Sequence, residues 1–330
     1  MRKMKIDIPY YEDNTRISNS AIGWFLKKGP RYLRDMLDGK EEGISGKYLE
    51  KGTMIHEYIL QPEEFWKDYE ILDFEVPRVK QQKDLCEKYY NYKLTDPLES
   101  EESILLSAYN FAYNNKKSDE QKLTEAKSIV ENYGKYIKYL EIGDKKKIIS
   151  FSDLTMLKQI KTNLEEHVAA NKLLFDVPTT YECHNEFHIN WDYKGIPCKS
   201  LLDRVMFDHV NKKIVLIDLK TTSDVYNFKH SVEEFDYYRQ IAFYICAITW
   251  YMLNELNLNV DDYDLEAYII AIQTNGNNEV RVFNMFNEDE LLNRKNVISD
   301  ALQRISYHIN SNDWDHTIEY YTNGGIEQLE

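Results

Sequence analysis

Apolar positions recur along the chain with two different periods, and the switch between them divides it. In 18–37, SNSAIGWFLKKGPRYLRDML, they fall three and four apart behind a serine cap. Gly29-Pro30 interrupts the run, which predicts two short helices, the second carrying Arg31 and Arg34. The segment 49–60, LEKGTMIHEYIL, keeps helical spacing up to Gln61-Pro62 and so places His56 on a helix. From about residue 80 to 172 the chain is rich in Lys, Glu, Tyr and Leu with few Gly or Pro, which predicts several helices joined by short polar loops and carries no recognisable chemistry.

β-forming residues take over at 176–181. Three strands are predicted at 181–191, 197–208 and 213–221, with turns at 192–195 and at Asn211-Lys212. Ser231 and Glu234 then have the spacing of a capping box ahead of a long apolar-striped helix. Strands at 265–273 and 279–286 flank an Asn275-Gly276 turn, and a helix at 287–309 follows. This order predicts an α/β fold, a mixed central sheet flanked by helices, in a single domain of residues 1–330. Residues 80–175 would be a helical insertion and 176–310 the core carrying the chemistry.

Composition narrows the function classes. A hydrophobic content of 43% supports a sizeable core, and a formal charge of −15 excludes a surface coated in phosphate-binding lysines while leaving room for a local basic groove. The apolar stretch 241–253 is too short to span a bilayer and the N-terminus has no signal-like apolar core, so the expectation is a cytoplasmic protein without membrane contact. Cys86, Cys183, Cys198 and Cys246 lie far apart with no C-x-x-C pair, which excludes a zinc ribbon or iron–sulfur cluster. No glycine-rich phosphate loop occurs, and a zincin motif beginning at His56-Glu57 fails because position 60 is Leu.

The chemistry concentrates on the second predicted hairpin. Residues 214–217 are continuously apolar, as in a central strand buried on both faces, yet the strand ends in Asp218-Leu219-Lys220. Alternation puts Asp218 and Lys220 on one face. A two-residue turn at Asn211-Lys212 pairs residues whose numbers sum to about 423, setting Asp203 opposite Lys220 and diagonal to Asp218. A bare Asp-x-Lys is most often a buried salt bridge. One lysine, however, cannot neutralise two partly buried carboxylates, and Mg²⁺ would relieve their repulsion. Such an ion would polarise a phosphoryl oxygen and activate water, with Lys220 orienting that water or stabilising developing charge. Glu186 shares a polar strand face with His184 and His188, which fits a solvated face as well as a site. Gln240 and Tyr244, four apart, share a helix face. On its own His56 reads as a satisfied core histidine.

These residues in this order resemble the PD-(D/E)XK nuclease superfamily, in its exonuclease VIII (RecE-type) branch related to phage lambda-type exonuclease. The likeness is carried by ISNSAIGWFLKKGPRYL at 17–33, KGTMIHEYILQPEEF at 51–65, NEFHINWDYKGIPCKSLLDRV with IVLIDLKTT within 185–222, and YYRQIAFY at 237–244. The region 80–172 is not covered, and Leu202 stands where the family pattern has Pro. The resemblance implies a restriction-endonuclease-like core and a Mg²⁺- or Mn²⁺-dependent exonuclease that digests linear double-stranded DNA from 5′ to 3′, leaving 3′ single strands for recombination. It makes His56, Asp203 and Asp218 metal ligands, gives Glu186 and Lys220 catalytic roles, and has Gln240 and Tyr244 support the lysine or contact DNA. A ring-shaped homo-oligomer, trimer or tetramer, and a single-strand annealing partner are also implied. Arg31 and Arg34, or Lys27 and Lys28, are candidates to hold a terminal phosphate, although a solvated helix face suits them as well. The alternatives are a PD-(D/E)XK endonuclease, a non-catalytic DNA-end-binding module, and a structural helical protein with a salt-bridged hairpin.

Overall fold

The computed structural model describes residues 8–41, 46–72, 74–142 and 146–326. The chain divides into two compact units, one of Met1–Gln61 with Lys158–Glu330, the other of Pro62–Leu157. Helix α1 (Asn19–Leu37) starts where the Ser18 hydroxyl accepts from the Ala21 amide. The run is kinked at Gly29, whose φ of 82° is cheap only for glycine, followed by Pro30. The Gly-Pro break thus falls where the sequence places it. Helix α2 (Lys47–Leu60) carries His56.

The second unit holds α3 (Pro62–Asp68), β1 (Tyr69–Leu72), α4 (Lys80–Thr95), α5 (Glu101–Ala112), α6 (Asp119–Asn132), α7 (Gly134–Ile142) and β2 (Lys147–Ser150). Its helices close around Leu85, Cys86, Leu105, Ala108 and Tyr109. Strands β1 and β2 pair in parallel, Tyr69 with Lys147. The sequence predicts only helices and loops across 80–172, and β2 corrects it: four residues that pair with a strand far away in sequence leave no local periodic signal.

The chain then makes α8 (Phe151–Glu166) and α9 (Val168–Leu174) before the main sheet. That sheet has five strands in the order β3 (Glu182–Tyr193), β4 (Ile196–Asp208), β5 (Lys213–Thr222), β6 (Asp264–Gln273), β7 (Val280–Asn284). Neighbours are antiparallel except β5 and β6, which run parallel, so the sheet is mixed as expected. A parallel pair needs a crossover. Here it is α10 (Phe228–Glu234) and α11 (Tyr237–Asn254), and the fold closes with α12 (Glu288–Ser311) and α13 (Ile318–Thr322). Ile241, Ala242, Ile245, Ile248 and Met252 of α11 join Val205, Phe207, Ile214 and Leu216 in the main core with α1 and α12 residues. Each large aliphatic side chain buried there contributes roughly 1.5–3 kcal/mol. Among the described residues no helix is long and apolar enough to cross a membrane.

Two further expectations are corrected. Ser231 does not cap a long helix. It lies inside α10, and Asp236, in the left-handed region at φ 51°, breaks the backbone before α11. The β4–β5 turn is not a two-residue one either. Asp208 pairs with Lys213, and the intervening residues are held by the Asp208 carboxylate, which accepts from the Val210 and Asn211 amides. The register therefore sums to 421, as in Arg204 with Ile217, and not to 423.

Candidate metal centre

The corrected register brings Asp203 across from Asp218 instead of Lys220. The β4–β5 ladder ends one step earlier, at Arg204 and Ile217, while β5 keeps pairing with β6 as far as Thr222 and Gln273. Beyond that point the Leu219 amide has lost its partner on β4, and the Asp203 Oδ2 atom takes its place at 2.7 Å. Farther along, the freed edge of β4 is taken by the N-terminal segment, where Ile17 N donates to Pro197 O and Lys199 N to Ile17 O. The site occupies the gap between these two partners of β4.

Glu186 reaches Asp203 from β3, on the other edge of β4. Asn185 pairs with Arg204 and Phe187 with Leu202, but the intervening pair, Glu186 with Asp203, is absent from the ladder. Glu186 sits in the left-handed region at φ 48°. A non-glycine residue there costs on the order of 1–3 kcal/mol, and such strain persists where the surroundings enforce it. From α2, His56 brings Nδ1 to 3.6 Å from Asp203 Oδ2. One ligand atom from each of His56, Glu186 and Asp203 lies within 4.8 Å of the other two. Gly52, one turn before His56, lets the helix approach β5: a Cβ there would stand 3.1 Å from Thr221 Oγ1.

Asp218 is fully buried and turned a different way. Its Oδ2 is 2.5 Å from Lys220 Nζ, and its Oδ1 accepts from Gln240 Nε2 at 3.1 Å. The same Gln240 amide donates to Tyr244 OH at 2.8 Å, so the i, i+4 pair read from sequence acts as one bracket behind Asp218. Tyr237, one turn before Gln240, lays its ring 5.1 Å from the ammonium of Lys220. Its position three residues before Gln240 was the available signal, lost among the many tyrosines of this chain.

Electrostatics follow from burying three carboxylates beside one lysine. Burial raises Asp203 against the pull of Lys220 and the Leu219 amide. Burial, and secondarily Asp203, push Asp218 up to about 6 although Lys220 opposes this. Burial, then the charges of Asp203, Glu57 and Asp218, push Glu186 up to about 7. Burial and the nearby Lys220 lower His56 to about 4, leaving its imidazole neutral and able to act as a ligand at neutral pH. For Lys220 burial works downward, but Asp218 and Asp203 outweigh it and hold the ammonium above its ordinary value. The arrangement is a nitrogen and two carboxylates converging on one point, with the Asp218–Lys220 carboxylate–ammonium pair alongside. That donor set suits a hard divalent cation such as Mg²⁺ or Mn²⁺.

Arg31 and Arg34 are not part of this cluster. Arg31 pairs with Asp35 and Asp315; Arg34 pairs with Asp38 and lies over the Trp314 ring. Lys27 donates to the Glu234 carbonyl, and Lys28 lies over Tyr32.

No protein-family model matches the chain, and no curated protein sequence does. Its fold is similar to the crystal structure of a candidate exonuclease from Eubacterium rectale, with a TM-score of 0.51 and 12% identity over 100% of this chain and 96% of that one. At that identity the likeness is one of fold: a mixed α/β protein whose five-stranded sheet is flanked by helices.

Proposed function

We propose that this protein is a divalent-metal-dependent deoxyribonuclease of the PD-(D/E)XK type that hydrolyses phosphodiester bonds at the ends of linear duplex DNA. The observation that carries the reading is the convergence of His56, Glu186 and Asp203 beside the buried Asp218–Lys220 pair. The fold shared with a candidate exonuclease supports it. His56 and Asp203, with Glu186 or Asp218, would hold Mg²⁺ or Mn²⁺. A bound ion of this kind polarises a phosphoryl oxygen and lowers the pKa of a water. Lys220, kept protonated by its two aspartates, serves as a hydrogen-bond donor to water or to a phosphoryl oxygen and not as a base. Gln240 and Tyr244 fix the Asp218 carboxylate and through it the lysine. Glu57, Glu186, Asp203 and Asp218 make the metal-free site repel a phosphate backbone, so cation binding and DNA binding should be coupled.

Within this reading the enzyme is an exonuclease of the RecE and lambda-type branch. It digests from 5′ to 3′ and leaves 3′ single strands for recombination, as a ring-shaped homo-oligomer beside a single-strand annealing protein, in the cytoplasm. Residues 80–175 are read as the helical insertion and 176–310 as the core carrying the chemistry, which His56 of α2 joins from outside that span. The test is covalently closed circular duplex offered beside the same DNA linearised, in Mg²⁺. Mononucleotides released from the linear form alone are expected. Cleavage of the closed circle would instead make the protein an endonuclease.

A further inference from the structure

The N-terminal segment presents an aromatic ring that the mechanism above does not use. Residues 10–17, ahead of α1, are tied down with unusual thoroughness for an exposed strap. Lys199 of β4, only 7% exposed, donates its ammonium to the backbone carbonyls of Tyr10 and Asp13. Asp13, also buried, accepts from the Thr15 amide and hydroxyl and pairs with Arg16, and Ile17 pairs with Cys198. Between the two carbonyls held by Lys199 stands Tyr11, a residue 83% exposed. Its ring meets that of Tyr10 edge-on at 5.2 Å, and Tyr10 in turn meets His188 at 5.4 Å. His188 is two residues from Glu186 on β3. Burial around the hydroxyl, and after it the carboxylates of Glu186, Asp203 and Glu57, raise Tyr11 above its ordinary value.

Fixing a backbone with a buried ammonium while leaving the adjacent large ring uncovered is a poor way to stabilise a fold. It is a good way to hold a ring ready for a ligand. We propose that Tyr11 is a stacking platform for a nucleobase of the DNA strand whose backbone lies at the Asp203 cluster; the ligand class rests on the nuclease reading above. An aromatic face grips a base without adding positive charge, and every base offers a π-face, so the contact is sequence-tolerant. In a chain of net charge −15 it supplies affinity that phosphate-binding lysines do not.

The test uses the full chain and its Tyr11→Ala, Tyr11→Phe and Tyr11→Trp variants. Two readouts are taken in Mg²⁺: steady-state hydrolysis of linear duplex, and quenching of 2-aminopurine at the end of an oligonucleotide with hydrolysis-resistant phosphorothioate links. Tyr11→Ala should raise KM, and the protein concentration needed for quenching, about tenfold with kcat within about twofold, while the Phe and Trp variants behave like wild type. Quenching that depends on Tyr11 without hydrolysis by wild type would uphold the platform and sink the nuclease reading. Hydrolysis by wild type with both readouts unchanged in Tyr11→Ala would overturn the platform and leave the nuclease reading standing. Absence of quenching by wild type would also overturn it.

Discussion

The sharpest consequence of the clustered carboxylates concerns Glu186 and pH. In the folded chain its carboxyl is pushed up to about 7 from an ordinary 4.5, chiefly by burial. The folded state therefore holds this proton more tightly than the unfolded state. Its contribution is fully present below about 4.5 and is lost as pH rises through about 7. At about 1.4 kcal/mol per tenfold, that difference corresponds to about 3 kcal/mol, which partial solvent exposure trims to about 2 kcal/mol. A raw stability curve would blur the effect, because His56 and His308, both held below their ordinary values, act in the opposite sense as pH rises toward 6.5. Comparing wild type with Glu186→Gln removes that background, since both proteins keep the histidines. Urea unfolding followed by tryptophan fluorescence in EDTA should show Glu186→Gln gaining about 2 kcal/mol on wild type between pH 5 and pH 8.5. Saturating Mg²⁺ at pH 8.5 should close or reverse the gap, because a ligand held a hundredfold above its Kd stabilises by about 2.7 kcal/mol and the variant has lost a ligand atom. A difference that stays flat with pH would refute the reasoning, as would a gap that Mg²⁺ leaves untouched.

Three further outcomes are expected. Lys220→Met removes the ammonium from beside Asp218, so turnover on linear duplex should fall by about 10²–10³ while Mg²⁺ binds no more weakly by calorimetry; weaker binding would mean that the lysine organises the metal site itself. Gln240→Leu leaves Asp218 Oδ1 and Tyr244 OH without their shared donor and should cost about 1–3 kcal/mol in urea unfolding, with a neutral result showing that the bracket is dispensable. Gly52→Leu places side-chain atoms where a Cβ alone would already stand 3.1 Å from Thr221 Oγ1, so α2 should shift, costing about 1–3 kcal/mol and weakening Mn²⁺ affinity; unchanged affinity would uncouple the position of His56 from that approach.

What the sequence disclosed followed the range of each interaction. Strands β3 to β7 are legible as β-forming or apolar runs between turn signals, helices α1, α2 and α12 by their helical apolar spacing, and Asp218 with Lys220 because a charged pair ending an apolar run is a local anomaly. The register is not legible because it depends on a side chain: the Asp208 carboxylate holds a longer turn than Asn211-Lys212 alone implies. A two-residue turn sets Asp203 opposite Lys220, where the longer turn sets it opposite Asp218 on the same face. Glu186 could be placed on a polar strand face, but nothing in the pattern of β3 foretold its left-handed backbone, which depends on the missing pair with Asp203. Tyr11 and Tyr237 stayed invisible among 26 tyrosines, since only the strap and the start of α11 show what their rings stand beside. The break before α11 was hidden too, because Ser231 and Glu234 have capping-box spacing whether or not a helix begins there.

The central claim is that the cluster around Asp203 and Asp218 cleaves DNA with a divalent ion. The most direct measurement incubates purified wild type and Asp218→Ala with end-labelled linear duplex in Mg²⁺, in Mn²⁺ and in EDTA. Wild type should degrade the duplex with either metal and not in EDTA, and Asp218→Ala should leave it intact throughout. Equal signals from both proteins, independent of metal, would contradict the account.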